Sequence, residues 1–208
     1  SEMCIRDRRI FVPRDAVSLA LGADLLAAAI AAEAARRGVA AKIIRNGSRG
    51  MFWLEPLVEI ETAEGRIGFG PMTLADVAGL FADPASHPKA LGLVEALPFL
   101  AKQQRLTFAR CGVIDPLSLA DYRAHGGLAG LERARGMSAE AICAEVTKSG
   151  LRGRGGAGFP TGVKWETVRK AEAPQKYIVC NADEGDSGTF ADRLILEADP
   201  FCLIEGMA

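Results

Sequence analysis

The sequence predicts an α/β fold, because strand-like apolar runs alternate with helix-spaced runs between Arg9 and Phe81. A crossover helix separates the first two strand candidates, and a second strand pattern, Tyr177 to Cys180, ends in a glycine-containing turn, where α/β proteins bind ligands. In order, the first unit reads as a strand from Arg9 to Val12, a helix from about Ala23 to Arg37 and a strand from Ala41 to Arg45. Strands near Leu57–Ile60 and Arg66–Phe69 follow, turning at Glu64-Gly65, and a helix from Thr73 to Phe81 closes the unit.

That order, a crossover followed by a hairpin, is consistent with a thioredoxin-like sandwich over residues 9–86. The most apolar stretch, Ala16 to Ala35, contains Asp24, Glu33 and a glycine, so it reads as an amphipathic helix and not as a span of about 20 uninterrupted apolar residues. Asp83 to Pro98, rich in proline, breaks periodicity and is the best linker candidate; with the boundary placed near His87, the linker is read over 87–104. Residues 105–208 form the second domain, expected to be truncated because Leu203 to Ala208 reads as a helix still in progress. At the other end, residues 1–8 (S-E-M-C-I-R-D-R) lack an initiator Met and resemble translated sequencing-adaptor sequence. They are read as a non-native leader and set outside fold reasoning, so the chain is expected to be a fragment at both ends.

Composition narrows the function. With 49% hydrophobic and 25% charged residues, the chain can bury real cores and is not disordered. A net charge of −1 provides no global basic field, which argues against nucleic acid as a partner. The five cysteines form no C-x-x-C pair and read as reduced thiols in a cytoplasmic protein. His87 and His125 are the only histidines and have no triad-like neighbours, so hydrolytic catalysis finds no support and no catalytic side chain is assigned.

The strongest local signal is S-G-L-R-G-R-G-G-A-G-F-P-T-G from Ser149 to Gly162, followed at once by Lys164-Trp165. Glycines permit close backbone approach, and arginine and lysine supply the fork and the point charge that phosphate oxygens accept. Gly153, Gly155 and Gly158 satisfy G-x-G-x-x-G, and Asp183 lies 25 residues past Gly158, as in a Rossmann dehydrogenase. The context differs from that fold. A helix-spaced run from Ser138 to Lys148 precedes the loop where a strand is needed, and Pro160 and Gly162 delay the next helix.

Downstream stands Y-I-V-C-N-A-D-E-G-D-S-G-T-F-A-D-R, from Tyr177 to Arg193. Tyr177 to Cys180 reads as a short buried strand whose end releases Asn181, Asp183, Glu184 and Asp186 into a turn. Loop, Lys164-Trp165, strand and acidic turn together resemble the flavin-binding subunit of the NADH-oxidising module of respiratory complex I. The resemblance runs from about Arg105, through C-G-V-I-D-P at Cys111 to Pro116 and G-G-L at Gly126 to Leu128, to the last residue. The same module recurs in diaphorase subunits of NAD-reducing hydrogenases and in the beta subunit of NAD-dependent molybdenum formate dehydrogenases. The last is the nearest likeness, since Asp186, Ser187 and Ala191 stand where the family pattern commonly has Glu, Pro and Lys.

The resemblance implies a complex I flavin-subunit type of FMN-binding α/β domain, of which this chain holds the start. Gly153, Arg154, Gly155, Gly156, Lys164, Asn181, Asp183 and Glu184 would contact FMN, with Ala157 and Gly158 completing the loop. Phe159 would stack near the nicotinamide or adenine of NAD, and Asp186 would take the place of a nucleotide-contacting carboxylate. Electrons would pass between NAD(H), FMN and an iron–sulfur chain whose [4Fe-4S] cluster is bound beyond residue 208, so no metal ligand is assigned here. The implied partners are a small [2Fe-2S] thioredoxin-like subunit and a molybdenum or other catalytic subunit. Within the family a thioredoxin-like domain often carries a [2Fe-2S] cluster. The matching stretches here, Pro13 to Ser18 and Ser48 to Phe52, hold no cysteine, and the turn Arg45 to Arg49 reads as a solvated basic loop. Two other classes remain open: a Rossmann-type dehydrogenase, and a non-enzymatic docking module whose loop binds a partner's phosphate or carboxylate.

Overall fold

The computed structural model describes residues 8–208. The leader read over residues 1–8 and the thiol of Cys4 lie outside the described residues, apart from the backbone of Arg8, which opens the first strand. The chain forms two compact units: residues up to His125 together with Ala182–Leu203, and Gly126–Asn181 together with Ile204–Ala208.

The first unit is built on a five-stranded sheet of order β2-β1-β3-β4-β5. Its elements are β1 (Arg8–Phe11), α1 (Ala16–Ala20), α2 (Ala23–Arg36), β2 (Ala41–Ile44), β3 (Val58–Thr62), β4 (Gly65–Phe69), α3 (Val77–Ala82) and β5 (Ala90–Leu93). Strands β1 and β2 are parallel, joined by the crossover through α2, and the β1–β3, β3–β4 and β4–β5 pairs are antiparallel. Alternation in the strands and 3.6-residue spacing in α2 turn Ile10, Leu26, Ile30, Ile60, Phe69 and Leu80 into one core, each at 2% exposure or less. Burying such a side chain contributes roughly 1.5–3 kcal/mol. Short helices α4 (Pro98–Ala101) and α5 (Leu119–Ala124) follow, then α6 (Ala129–Ala134), α7 (Ala139–Ser149) and α8 (Thr161–Lys170) of the second unit, and finally α9 (Ala191–Ala198) and α10 (Pro200–Met207).

Four sequence expectations are corrected. The run from Ala16 to Ala35 is two helices, because Gly22 turns left-handed at φ +91° between them and Asp15 caps the first by accepting from the Ser18 N–H. The stretch read as a linker supplies β5, paired with β4, and His87 beside it is buried edge-on against Phe69. The prolines that broke the periodicity flank the strand without interrupting it. Tyr177 to Cys180 forms no strand, and Tyr177, Ile178 and Val179 are 68–82% exposed. A strand exists only beside a partner, and the sheet strands pair among themselves between residues 8 and 93. The fourth correction concerns Arg45 to Arg49, which is not a solvated loop. Asn46, Ser48 and Arg49 are buried, and Arg49 forms a two-pronged ion pair with Glu59 on β3, at 2.9 Å on each prong.

The stretches Pro13–Ser18 and Ser48–Phe52 meet over a buried carboxyl. Ser48 Oγ donates to Glu55 Oε1 at 2.6 Å, and the Leu57 N–H donates to Glu55 Oε2 at 2.8 Å. Ser18 Oγ lies 2.7 Å from Asp15 Oδ1 and 3.0 Å from Glu55 Oε2. A hydroxyl has one proton, so with both carboxyls ionised one of those contacts would set lone pair against lone pair. A proton on Glu55 removes the conflict, and burial, reinforced by the Asp15 charge, pushes the Glu55 carboxyl up to about 7.

Across the window from 4.5 to about 7 the folded chain therefore holds a proton that the unfolded chain has released, and stability is expected to fall as pH rises through it and to level off above. Urea midpoints measured against pH should show this slope. Glu55→Gln, which keeps the shape without the charge, should flatten it, and an unchanged slope in that variant would assign the titration to another group.

Candidate functional site

In the second unit the chain leaves α7 through Gly150, left-handed at φ +70°, which closes the helix. The loop then folds back on itself. Gly153 N donates to Phe159 O at 2.9 Å, Thr161 N donates to Leu151 O at 2.9 Å, and Arg152 and Pro160 form a bridge. Pro160 is the N-cap of α8 and provides no side-chain cap to its first turn.

Between these closing bonds the loop is open. A Cβ built at Gly155, Gly156 or Gly158 would meet nothing within 4 Å, and Gly156 and Gly158 take φ +113° and +60°. The amides from Arg154 to Gly158 donate to no backbone carbonyl among the described residues. Ala157 shares that exposed arc. Arg152 and Arg154 donate to carbonyls of their own loop, at Gly158 and Arg152, and neither they nor Lys164 has a carboxylate partner among the described residues. Arg169, farther along α8, shows the contrast: it is paired with both Glu166 and Glu140. Lys164 Nζ stands 5.7 Å from the centroid of the Phe159 ring, which is 48% exposed. Cations without a carboxylate partner and amides without a carbonyl partner among the described residues, with room for backbone approach, together fit a phosphate.

Behind the loop, between the end of α7 and the start of α8, lies a cavity of about 130 Å³ bordered by Thr147, Leu151, Arg152 and Gly162. That is well under the roughly 300–1,000 Å³ of ordinary ligand pockets, so a cofactor would lie on the open face of the loop. Gly162 was legible as a helix start but not as a packing residue. A Cβ there would sit 2.7 Å from the Thr147 Cα, so α7 and α8 approach closely only with glycine at this position. The available signal was a glycine inside a helix, where it costs roughly 0.5–1 kcal/mol unless packing repays it.

The downstream residues divide. Asn181 falls in the second unit, whereas Asp183, Glu184 and Asp186 belong to the first. Both Glu184 oxygens are engaged at the start of α9, accepting from the Asp192 N–H at 2.7 Å and the Arg193 N–H at 3.3 Å. The Asp186 carbonyl accepts from the Thr189 amide and hydroxyl, closing the turn, and Phe190 enters α9 at φ +51°.

The model of the Complex1_51K family, the Nuo51 FMN-binding domain, matches residues 146–208. Residues 146–208 are thus similar to the Nuo51 FMN-binding domain. Its relatives include the NADP-reducing hydrogenase subunit HndC of Solidesulfovibrio fructosivorans, 51% identical over 107 residues, which are 51% of this chain and 22% of that protein. The NADH-quinone oxidoreductase F 2 subunit of Rhizobium meliloti is 55% identical over 91 residues, 43% of this chain and 22% of that protein. The alpha subunit of the NAD-reducing hydrogenase HoxS of Cupriavidus necator is 53% identical over 68 residues, 33% of this chain and 11% of that protein. The chain thus spans about a fifth or less of the length of these relatives. The glycine loop and the acidic turn both lie inside the matched Nuo51-type segment.

Gly162→Ala is expected to lower unfolding stability by about 1–3 kcal/mol in urea titrations, because the added methyl must push two packed helices apart. Gly155→Ala, which meets open space, should stay within about 0.5 kcal/mol of the parent. Equal losses at the two positions would refute the packing account.

Proposed function

We propose that this chain is part of a flavin-containing NAD(H) oxidoreductase subunit, in which the Gly153–Phe159 loop and Lys164 seat the phosphate of FMN. The observation that supports this reading is the loop itself, inside the segment similar to the Nuo51 domain, with five consecutive amides that meet no backbone carbonyl and three cations that meet no carboxylate among the described residues. Backbone N–H groups of Arg154, Gly155, Gly156, Ala157 and Gly158 donate to the phosphate oxygens, and Lys164 adds a full charge. The first turn of α8 contributes a dipole effect of about 0.3–1 kcal/mol at an exposed site. Asn181, Asp183 and Glu184 supply hydrogen-bond partners for the ribityl chain and pyrimidine edge. Phe159 offers a face to the nicotinamide or adenine, and Asp186 offers a carboxylate to the nucleotide.

When bound, FMN supplies two-electron exchange with a nicotinamide and one-electron exchange with an iron–sulfur chain. No side chain of this segment acts as nucleophile or general acid; the residues bind, orient and set the charge around the ring. The iron–sulfur chain begins with a [4Fe-4S] cluster held beyond residue 208. The N-terminal layer is thioredoxin-like, supported by its order β2-β1-β3-β4 and its parallel first pair. Its setting is a cytoplasmic multi-subunit complex with a small [2Fe-2S] subunit and a separate catalytic subunit. The subunit names of the relatives support that setting, as do the thiols of Cys111, Cys143 and Cys180. Formate dehydrogenase is the finer reading, supported by Asp186, Ser187 and Ala191. The matched relatives support a hydrogenase or quinone-reductase setting as the second reading.

The full-length subunit is expected to be yellow, with a flavin absorbance band and NADH-driven dye reduction, whereas a colourless protein would overturn the reading. Lys164→Ala should weaken FMN retention about tenfold, the loss of one charge-assisted contact of roughly 1.5 kcal/mol. Asp186→Ala should raise the KM for the nicotinamide nucleotide while flavin stays bound, and unchanged steady-state kinetics would remove Asp186 from the site.

A further inference from the structure

In the first unit, α9 and the acidic turn before it are gripped by the N-terminal layer. The chain passes Ala198 at Gly47, where a Cβ would lie 2.6 Å from the Ala198 Cα. Five residues on, the Phe52 ring packs on Phe190 with centroids 5.5 Å apart. From α1, the Ala16 N–H donates to Glu197 Oε2 at 3.0 Å. The gripping loop cannot yield. Asn46 Nδ2 donates to the Gly112 carbonyl at 2.8 Å, Ser48 is bonded to Glu55, and Arg49 is locked to Glu59. On the other side Glu184 caps α9 with both oxygens, so the position of the helix fixes the position of the turn.

Resting on the cofactor reading above, we propose that loop 46–52 is a brace that positions the acid-bearing turn 183–190, making Gly47 and Phe52 positioning residues for nucleotide binding. A residue larger than glycine at 47 meets helix backbone, and because the loop is pinned by buried polar bonds, it is α9 that must move, by about 1 Å to reach ordinary carbon–carbon separation. Displacements of that size at groups that orient a substrate can cost as much as 100-fold in rate. The N-terminal layer thereby gains a role that needs no cluster and no ligand of its own: it sets where the carboxylates of Glu184 and Asp186 stand.

The test compares Gly47→Ala and Phe52→Ala with Leu80→Ala, which is buried in a core cluster that includes no residue of α9, all in the full-length subunit. In the two brace variants, hydrogen exchange of a peptide covering 184–199 is expected to rise about tenfold, as the amides capped by Glu184 lose protection. The KM for NAD(H) should rise about tenfold with kcat within twofold, as for loss of binding contacts and not of chemistry. Leu80→Ala should leave both readouts at parent values. If the brace variants match the parent in exchange and in KM, or if Leu80→Ala reproduces their changes, the brace is overturned. A colourless parent protein would remove the cofactor reading alone, and the exchange measurement would still decide the brace.

Discussion

A guanidinium sealed from water has to keep its carboxylate, and the first unit is organised around that requirement at Arg49 and Glu59. Arg49 is 3% exposed and Glu59 is fully buried. Burial pulls the arginine pKa down, and the bonds to and charges of Glu59 and Glu95 more than restore it, so Arg49 stays charged. Removing one partner of such a pair typically costs about 3–5 kcal/mol, because the other charge is stranded. The pair binds a loop to β3. Arg66 on β4 also reaches Glu59 and, stacked 3.4 Å over the Phe11 ring centroid, donates to the Gly112 and Val113 carbonyls. Gly112 crosses the Arg49 stem where a Cβ would come 2.7 Å from its Cγ. Sheet, loop and the 110–113 segment are thus held by a single charged centre, and α9 is held through them.

This network accounts for what could and could not be read from sequence. The strands and α2 were legible because their periodicity reports local backbone and burial together, and the hairpin was legible from Glu64-Gly65. The burial of Arg49 was not, since a basic turn looks solvated until its acid arrives from a strand ten residues away. β5 was hidden for a related reason: prolines mark the breaks at its ends, and nothing local reveals that Ala90–Leu93 fits the free edge of β4. The opposite error occurred at Tyr177–Cys180, where an apolar run promises a strand but no neighbour pairs with it among the described residues. Ala16–Ala35 failed on a single residue, because only Gly22 adopts the left-handed turn that separates the two helices.

The composition of the glycine loop was easier to read than the fold around it, because it depends on no tertiary partner. Glycine density and clustered cations can be read without any tertiary information; in the structure Gly155, Gly156 and Gly158 face open space, and Arg152 and Arg154 donate to carbonyls of their own loop. What sequence could not supply was the structural task of Glu184. Read as a ligand contact, it is also the cap of α9, and the two tasks are compatible because a carboxylate has about four lone-pair directions and the cap uses one on each oxygen.

The availability of the loop cations is itself a property of the sequence. From Val146 to Trp165 the chain carries Lys148, Arg152, Arg154 and Lys164 and no Asp or Glu. Acids bracket the stretch at Glu145 and Glu166, and each takes a cation outside the loop: Glu145 pairs with Arg133, and Glu166 with Arg169 and Lys170. A carboxylate inside the loop would have found those arginines at contact distance and satisfied them for about 0.2–1 kcal/mol at an exposed site. An arriving phosphate would then have had to displace it. Excluding acids costs the isolated chain some repulsion and leaves the loop cations without a carboxylate partner among the described residues, as the glycines give up conformational order to keep their amides accessible.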